Sequence, residues 1–471
     1  MQVAHKKDVP SELTVEIEKL SNLGYGIARY EGYIIFVENA CPKDKVRIRL
    51  TKKNKNYANA QIIEIVEPSE YRCAPICPMQ KVCGACQLQF IDYDYQLKCK
   101  KEIVEDLFIG MGIKINDVIP SPKIKEYRRK IQYPISETRD SKKIIAGYYK
   151  PATHEIVNIK YCPIQPSECD NIIDFIRGKA KEYGVSGYIE KLHAGDLRHV
   201  VIRSSEYSNK NLVVLVINSA KILDKVKKLA KSIYDEFESV SGVGVNLNPN
   251  KTNLILGKET QILEGEGFIE EKLCDKIFKV GAETFFQVNP ASANNIFEYV
   301  KDYISKNFEA PLILDAYAGI TAFGICLSDA AKKVVSVEEV KESVILADRI
   351  IKENDIKNVE LHNMDAAMFF EKELNTKGRK FDVTLLDPPR KGCTKESLDY
   401  ALKLTKGFSA PLEGEVPVGG RGVIIYVSCN PSTLARDLKY LIEQGCKVES
   451  IQPFDMFPHT YHIENVAIVS V

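Results

Sequence analysis

The sequence has no tryptophan, no internal repeat, no low-complexity stretch and almost no net charge, with 65 basic residues against 64 acidic ones in 471. The missing tryptophan decides nothing. Near-neutrality excludes global basicity as a route to a polyanion, so any nucleic-acid site has to be local. No apolar run approaches the roughly 18 residues that a membrane helix needs. The opening MQVAHKKDVPSELT also lacks the apolar core of a signal peptide. No membrane association is expected, and the chain reads as cytoplasmic, where thiols stay reduced. The 13 cysteines are too sparse for a disulfide scaffold; where they cluster, metal binding or chemistry is the commoner use. Positively, the length suggests about three domains. A content of 45% hydrophobic and 27% charged residues excludes wholesale disorder.

Residues 11–68 read as all-β, with TVEIEKL, GYIIFVEN, DKVRIRLTK and YANAQIIEIVE separated by glycines and by Cys41-Pro42-Lys43-Asp44. Short strands at this density suit a small barrel of the OB type, whose open face commonly binds oligonucleotides. Lys45, Arg47 and Arg49 alternate with Val46, Ile48 and Leu50, so period 2 puts the cations on one face and the apolar residues in the core. Residues 43–55 hold seven bases and one acid, a local +6. Residues 69–280 combine a cysteine-rich start, a helix near Tyr95–Met111 and mixed strands and helices. Within them, residues 121–160 carry ten basic and four acidic residues, including Arg128, Arg129 and Lys130. Basic residues mixed with aromatics suit phosphate contacts and base stacking.

From about residue 311 the pattern becomes regular. Apolar strands PLILDAY, KVVSVE, NVELHN, FDVTLLD and GVIIYVS alternate with helical segments beginning near Thr321, Lys341, Asp365, Lys395 and Ser432. This predicts a mainly parallel, doubly wound sheet, closed by an antiparallel pair formed from CKVESIQPFDMF and HIENVAIVSV. Ligands of such sheets sit beyond the carboxyl ends of the strands. Glu338 ends the second strand 19 residues after Gly319, placed to accept ribose hydroxyls of a nucleoside-containing cofactor. Asp387-Pro388-Pro389-Arg390 closes the fourth strand with a rigid loop, suited to holding a flat heterocycle and so suggesting nucleobase methylation. Cys429 ends the fifth strand just before a helix, where a lowered thiol pKa and a nucleophilic role are expected.

Cys77-x5-Cys83-x2-Cys86, with Cys73 upstream and Cys162 downstream, implies a soft metal centre. The spacing leaves zinc and iron–sulfur open.

Together these motifs resemble the S-adenosylmethionine-dependent RNA uridine-5-methyltransferases. The likeness is closest to members with an N-terminal TRAM domain and a 4Fe–4S cluster that modify 23S ribosomal RNA. The resemblance implies a multidomain protein: an OB-like TRAM barrel over residues 8–68, a central α+β domain with the cluster over 69–280, and a C-terminal α/β Rossmann-like methyltransferase domain over 281–471. It implies Cys77, Cys83, Cys86 and Cys162 as cluster ligands. Gln287, Tyr317, Glu338 and Asp387 would contact S-adenosylmethionine, and Phe285, in Phe285-Phe286-Gln287-Val288-Asn289, would stack on a base. Cys429 matches the nucleophile that adds to uracil carbon 6 and Glu464 the base that removes the carbon 5 proton. Lys45, Arg47, Arg49, Arg128, Arg129 and Lys130 would meet RNA, with 23S ribosomal RNA as the expected substrate. No protein partner is implied and a monomer is expected. A transfer-RNA uridine or RNA cytosine methyltransferase, and a non-catalytic zinc-containing RNA binder, are the competing readings. One departure stands out: the family usually has a second glycine two positions after Gly319, where this chain has Thr321. A β-branched residue is costly there if the turn needs positive φ.

Overall fold

The structure, a computed structural model, describes residues 9–376, 378–406 and 422–471. Its first unit is a six-stranded barrel-like sheet in the order Glu12–Glu16, Lys45–Lys53, Tyr57–Glu67, Tyr33–Val37, Gly26–Tyr30, Lys19–Leu20. Alternation in Lys45–Lys53 works as the sequence requires. Val46 and Ile48 are buried among Val15, Ile35 and Val37, while Lys45, Arg47 and Arg49 face outward.

A seven-stranded mixed sheet forms the middle of the chain. It runs Thr260–Gly265, Val240–Leu247, Asn211–Ile217, Leu197–Ser204, Lys130–Glu137, Ile144–Tyr149, Ile156–Asn158. Helices Ser167–Glu182 and Leu223–Glu236 cover it, burying Ile172, Ile173 and Ile176 from one and Val226, Leu229 and Ile233 from the other. The hairpin Phe268–Leu273/Lys276–Gly281 lies between this sheet and the next. Its Ile269, Leu273, Phe278 and Val280 share one core with Val214 of the middle sheet and Ile313 of the last. Apolar packing is therefore continuous across residue 281.

The C-terminal sheet runs Val359–Asn363, Lys333–Glu338, Leu312–Ala316, Val383–Leu386, Val423–Ser428, Glu464–Ser470, Lys447–Phe454. Its first five strands are parallel and the last two antiparallel, as expected from the short connection between them. The helices begin at Ala322, Lys341, Ala366, Lys395 and Pro431, within a residue of their sequence-based starts. Asn430 caps the last by accepting from the Ser432 amide, with Pro431 in the first turn.

One segment lies elsewhere than the sequence suggested. The helix Tyr93–Leu107 and the chain to Ile119 pack on the C-terminal unit rather than on the middle sheet. Val104, Phe108 and Val118 join the core of Leu434 and Leu438, and Ile115 and Ile119 bridge to Ile451 and Phe454. The attachment includes an ion pair between Lys100 Nζ and Asp455 Oδ1 at 2.6 Å, both side chains fully buried. Burial pushes the Lys100 ammonium down, and only Asp455 opposes it. Lys100→Met would leave Asp455 buried without its cation. We expect a loss of about 3–5 kcal/mol, read as a lower urea midpoint.

Candidate active site

A cavity of about 480 Å³ opens at the carboxyl edge of the C-terminal sheet. Three strand ends supply its polar wall. Tyr317 follows Leu312–Ala316, Asp387 follows Val383–Leu386, and Cys429 follows Val423–Ser428. Antiparallel pairing brings the fourth group. The ladder ends at Ser428 opposite Asn465, so one further step in register sets Cys429 opposite Glu464. Phe285, Gln287, Tyr317, Asp387, Cys429 and Glu464, far apart in sequence, all line this one cavity. Phe285 is 68% exposed at its rim.

Glu338 does not line the cavity. Its carboxylate accepts from the Gly319 amide at 2.8 Å and the Val340 amide at 2.8 Å, so it first fixes the glycine turn. That turn is strained. Tyr317 has φ 63° and Thr321 has φ 60°, both left-handed, and Thr321 is buried. A β-branched residue in this region costs about 1–2 kcal/mol.

Other contacts tie the loops together. The Arg390 carbonyl accepts from Asn430 Nδ2 at 3.1 Å and Thr433 Oγ1 at 3.3 Å, joining the Pro388-Pro389 loop to the helix behind Cys429. Buried Asp315 accepts from the Gly324 amide at 3.0 Å and Ser336 Oγ at 3.1 Å. Asp387 accepts no hydrogen bond from any described residue.

Burial governs the electrostatics. It raises Asp315 and Asp387 to about 7, with hydrogen bonds from Ser336 and Gly324 opposing it only at Asp315. Glu464 rises to about 8, first through burial, then through Asp387, against the pull of Arg390. Cys429 rises to about 11 through burial and the Glu464 carboxylate, again opposed by Arg390. Burial and the facing Glu464 carboxylate thus push the thiol up, against the lowering expected from the helix start alone. A cavity with three carboxylates, of which Asp387 and Glu464 accept no hydrogen bond from any described residue, and with a wall of Phe286, Phe297 and Phe323, fits a ligand that is cationic at one point and aromatic at another.

Comparison with known proteins decides the family. Residues 92–470 match the model of the tRNA (uracil-5-)-methyltransferases and residues 6–63 that of the TRAM domain. This chain belongs to the tRNA (uracil-5-)-methyltransferase family. A Clostridium tetani protein named "uncharacterized RNA methyltransferase" is 34% identical over 99% of this chain and 98% of its own length. A Synechocystis protein of the same description is 32% identical over 98% of this chain and 96% of its own. The crystal structure of Pyrococcus abyssi tRNA (uracil-54, C5)-methyltransferase with S-adenosyl-L-homocysteine aligns over 97% of this chain and 100% of that one. The TM-score is 0.74 at 25% identity. The protein is thus an S-adenosylmethionine-dependent RNA (uracil-C5)-methyltransferase with an N-terminal TRAM domain. No described helix is long and apolar enough to cross a membrane.

In this methyltransferase Cys77, Cys83, Cys86 and Cys162 share one neighbourhood, Cys86 and Cys162 each feeling Cys77. All four are free thiols. As placed, no three described Cys, His, Asp or Glu side chains form a group that could hold a metal ion. Beside these thiols lies Arg128, its guanidinium over the Tyr148 ring at 5.6 Å, without a carboxylate among the described residues and with Nε unpartnered.

The cationic runs look different in three dimensions. Lys45 pairs with Glu67 at 2.7 Å, Arg47 with Glu64 at 3.2 Å, and Arg49 with Glu12 at 2.8 Å. Flanking strands supply the acids that a linear charge count omits. Arg129 pairs with Glu206 at 2.8 Å, and burial lowers Lys130 to about 7. The 128–130 run is therefore half-buried rather than a free cationic surface. Asp315, Arg390 and His462 also line or govern the cavity and were given no role from sequence. Asp315 shared with Asp387 the signal of an acid closing a parallel strand. His462 carried none, since its place depends on the loop before the final strand.

Two measurements follow from this geometry. Asp315, Asp387 and Glu464 have ordinary values of 3.8, 3.8 and 4.5 and folded values of about 7, 7 and 8. The folded state then binds more protons than the unfolded chain between those limits. Their stability contribution is fully present below about pH 4 and is lost as pH rises through 7–8. Glu464→Gln should make thermal stability fall less steeply from about pH 5 to 9 than in the native protein. Thr321→Gly should raise stability by about 1 kcal/mol, the left-handed strain relieved less the entropy of glycine, measured as a higher thermal midpoint.

Proposed function

We propose that this methyltransferase modifies carbon 5 of a specific uridine in 23S ribosomal RNA, with Cys429 as nucleophile and Glu464 as base. The observation that carries the reading is the facing of a thiol and a carboxyl group across the last antiparallel pair, inside the cavity that Asp387 and Tyr317 also line. Carbon 5 of uracil is a weak nucleophile. Cys429 first gives up its thiol proton to water, helped by Arg390; the thiolate then attacks carbon 6, forming a C–S bond and pushing the C5=C6 electron pair into an enolate, so that carbon 5 can take up an electrophilic methyl. S-adenosylmethionine, when bound, supplies that methyl group. Glu464, in the carboxylate form that Arg390 favours, then accepts the carbon 5 proton, and the electron pair left by that C–H bond re-forms the C5=C6 bond and expels Cys429 as thiolate. Arg390, which favours the charged form of both Cys429 and Glu464, stabilises the anions that arise in turn. Gln287, Tyr317 and Asp387 hold the donor, with Glu338 fixing the turn beneath it. Phe285, at the exposed rim, is positioned to stack on an extruded base.

Lys45, Arg47 and Arg49 contact RNA phosphates by exchanging exposed ion pairs, each worth little in water; Arg128, Arg129 and Lys130 shape the RNA-facing unit from within. We assign a 4Fe–4S cluster to Cys77, Cys83, Cys86 and Cys162. Their shared neighbourhood and the uncompensated Arg128 beside them suit an anionic centre. When bound, it would tie their loops together, and no methyl-transfer step runs through it. The protein acts in the cytoplasm as a monomer. A transfer-RNA uridine is the second reading, favoured by the stated activity of the Pyrococcus abyssi structure.

RNA containing 5-fluorouridine should trap a covalent adduct with the native protein, because fluorine cannot leave as a proton. Cys429→Ala should abolish it, and an adduct surviving that change would refute the nucleophile. Iron and acid-labile sulfide in anaerobically purified protein should be near four each per chain; zinc without iron would remove the cluster. Mapping methylated uridines in ribosomal and transfer RNA from a deletion strain separates the two substrates.

A further inference from the structure

The middle sheet carries a second cavity, about 900 Å³, larger than the catalytic one and separate from it in lining. Its walls come from Gln132–Ser136, Ile145–Ile156, Tyr188–Lys191 and Arg198–His199, with a strip near Thr252. Three tyrosines line it, each beside a planar or cationic partner. His154 stacks on Tyr149 at 5.2 Å and 20°, Arg198 lies 4.7 Å from the Tyr188 ring, and Arg128 lies 5.6 Å from that of Tyr148.

Its charges are unevenly satisfied. The two carboxylates in the wall are already engaged, Glu155 by Lys150 at 2.6 Å and Glu190 by His154 at 2.8 Å. Arg128 and Arg198 pair with no carboxylate among the described residues. Arg198 is only 4% exposed, and its Nη1 donates to the carbonyls of Asn248 and Asn250. The Nε of Arg128, the Nε of Arg198 and Nδ1 of His199 are all buried without partners, and all three residues line this cavity. Those three atoms are sealed from the cleft itself, so its charge comes from the guanidinium groups of Arg128 and Arg198 and from the exposed Lys191 in its wall. The excess is cationic.

The cavity also adjoins the active site. Arg128 lines the first, and the amide of the next residue, Arg129, donates at 2.7 Å to the carbonyl of Val288, which lines the second. We propose that this cleft receives one unstacked nucleotide of the RNA substrate other than the methylated uridine. Its base lies on the tyrosine wall near Tyr149, and its phosphate lies toward Arg198 and Lys191. This assignment rests on the RNA-uridine reading above. Aromatic faces between cations are what single-stranded RNA requires, since every base has a π-face and every linkage a negative charge.

The test uses the full-length protein and a single-stranded RNA of mixed sequence, about 16 nucleotides long, carrying 4-thiouridine and a fluorescent label. Photocrosslinks should fall within 144–156 or 188–199. Tyr149→Ala and the exposed Lys191→Glu should each weaken RNA binding about tenfold, with S-adenosylmethionine affinity and thermal midpoint unchanged for Lys191→Glu. Crosslinks confined to the barrel and the C-terminal sheet would overturn the proposal, as would native RNA affinity in both variants. A protein that crosslinks at the cleft yet forms no fluorouridine adduct would support the cleft while removing the catalytic reading.

Discussion

The buried Lys100–Asp455 pair holds the catalytic end of the molecule in place. Asp455 directly follows the strand Lys447–Phe454, at the start of the loop to Glu464, and it also accepts from Tyr93 Oη at 2.8 Å. Around it the polar groups form a connected network. Tyr93 Oη accepts from the Ser121 amide, Asn289 Nδ2 donates to Ser121 Oγ and the Met456 carbonyl, and Lys100 reaches the Phe457 carbonyl. A charge pair so deep in low dielectric adds little net stability over an apolar substitute, but breaking it is expensive. What it provides is a fixed position for the loop 455–463, and hence for the carboxyl group that follows.

That fixed position matters because the cavity is electrostatically uncomfortable. Asp315, Asp387 and Glu464 crowd one strand edge and hold protons well above the usual carboxylate range. Arg390 is the neighbouring cation that pulls against this at Glu464 and Cys429. Such a site is stable only if the surrounding backbone cannot relax. The left-handed Tyr317 and Thr321 are held by the carboxylate of Glu338 on Gly319 and by the Thr321 amide on the Ala318 carbonyl. Strain and like-charge crowding are both carried by well-anchored turns.

The architecture of the C-terminal half was legible because two periodicities dominate it. Apolar strands such as Val383–Leu386 and amphipathic helices such as Lys341–Glu353 leave little choice but a doubly wound sheet. The convergence of Tyr317, Asp387 and Cys429 followed from that topology alone. Less legible was everything that depends on pairing across distant segments. The barrel cations appeared free because Glu12, Glu64 and Glu67 are remote in sequence yet adjacent in the sheet. Lys130, and Arg128 just before it, appeared exposed because nothing local says that the strand Lys130–Glu137 is flanked on both sides in its sheet. Cys429 appeared acidic because the helix was visible in sequence and the facing Glu464 carboxylate was not.

The cysteine loop is tied to the catalytic loop by backbone hydrogen bonds, with side chains from neighbouring segments bracing the same stretch. The amides of Gln87 and Leu88 both donate to the His459 carbonyl at 2.9 Å, and Tyr127 Oη donates to the Pro458 carbonyl at 3.0 Å. His459 itself is left-handed at φ 66° and buried, with Nε2 against the Ile124 carbonyl at 3.1 Å. Two donors on one carbonyl, one residue after Cys86, make a rigid link: displacement of that loop cannot be absorbed by a side-chain rotation and must pass into 455–463. Whatever fixes Cys86 therefore fixes the approach to Glu464. These backbone links connect the thiols to the chemistry, which is why a cysteine group so far from Cys429 in sequence can matter to it in the fold.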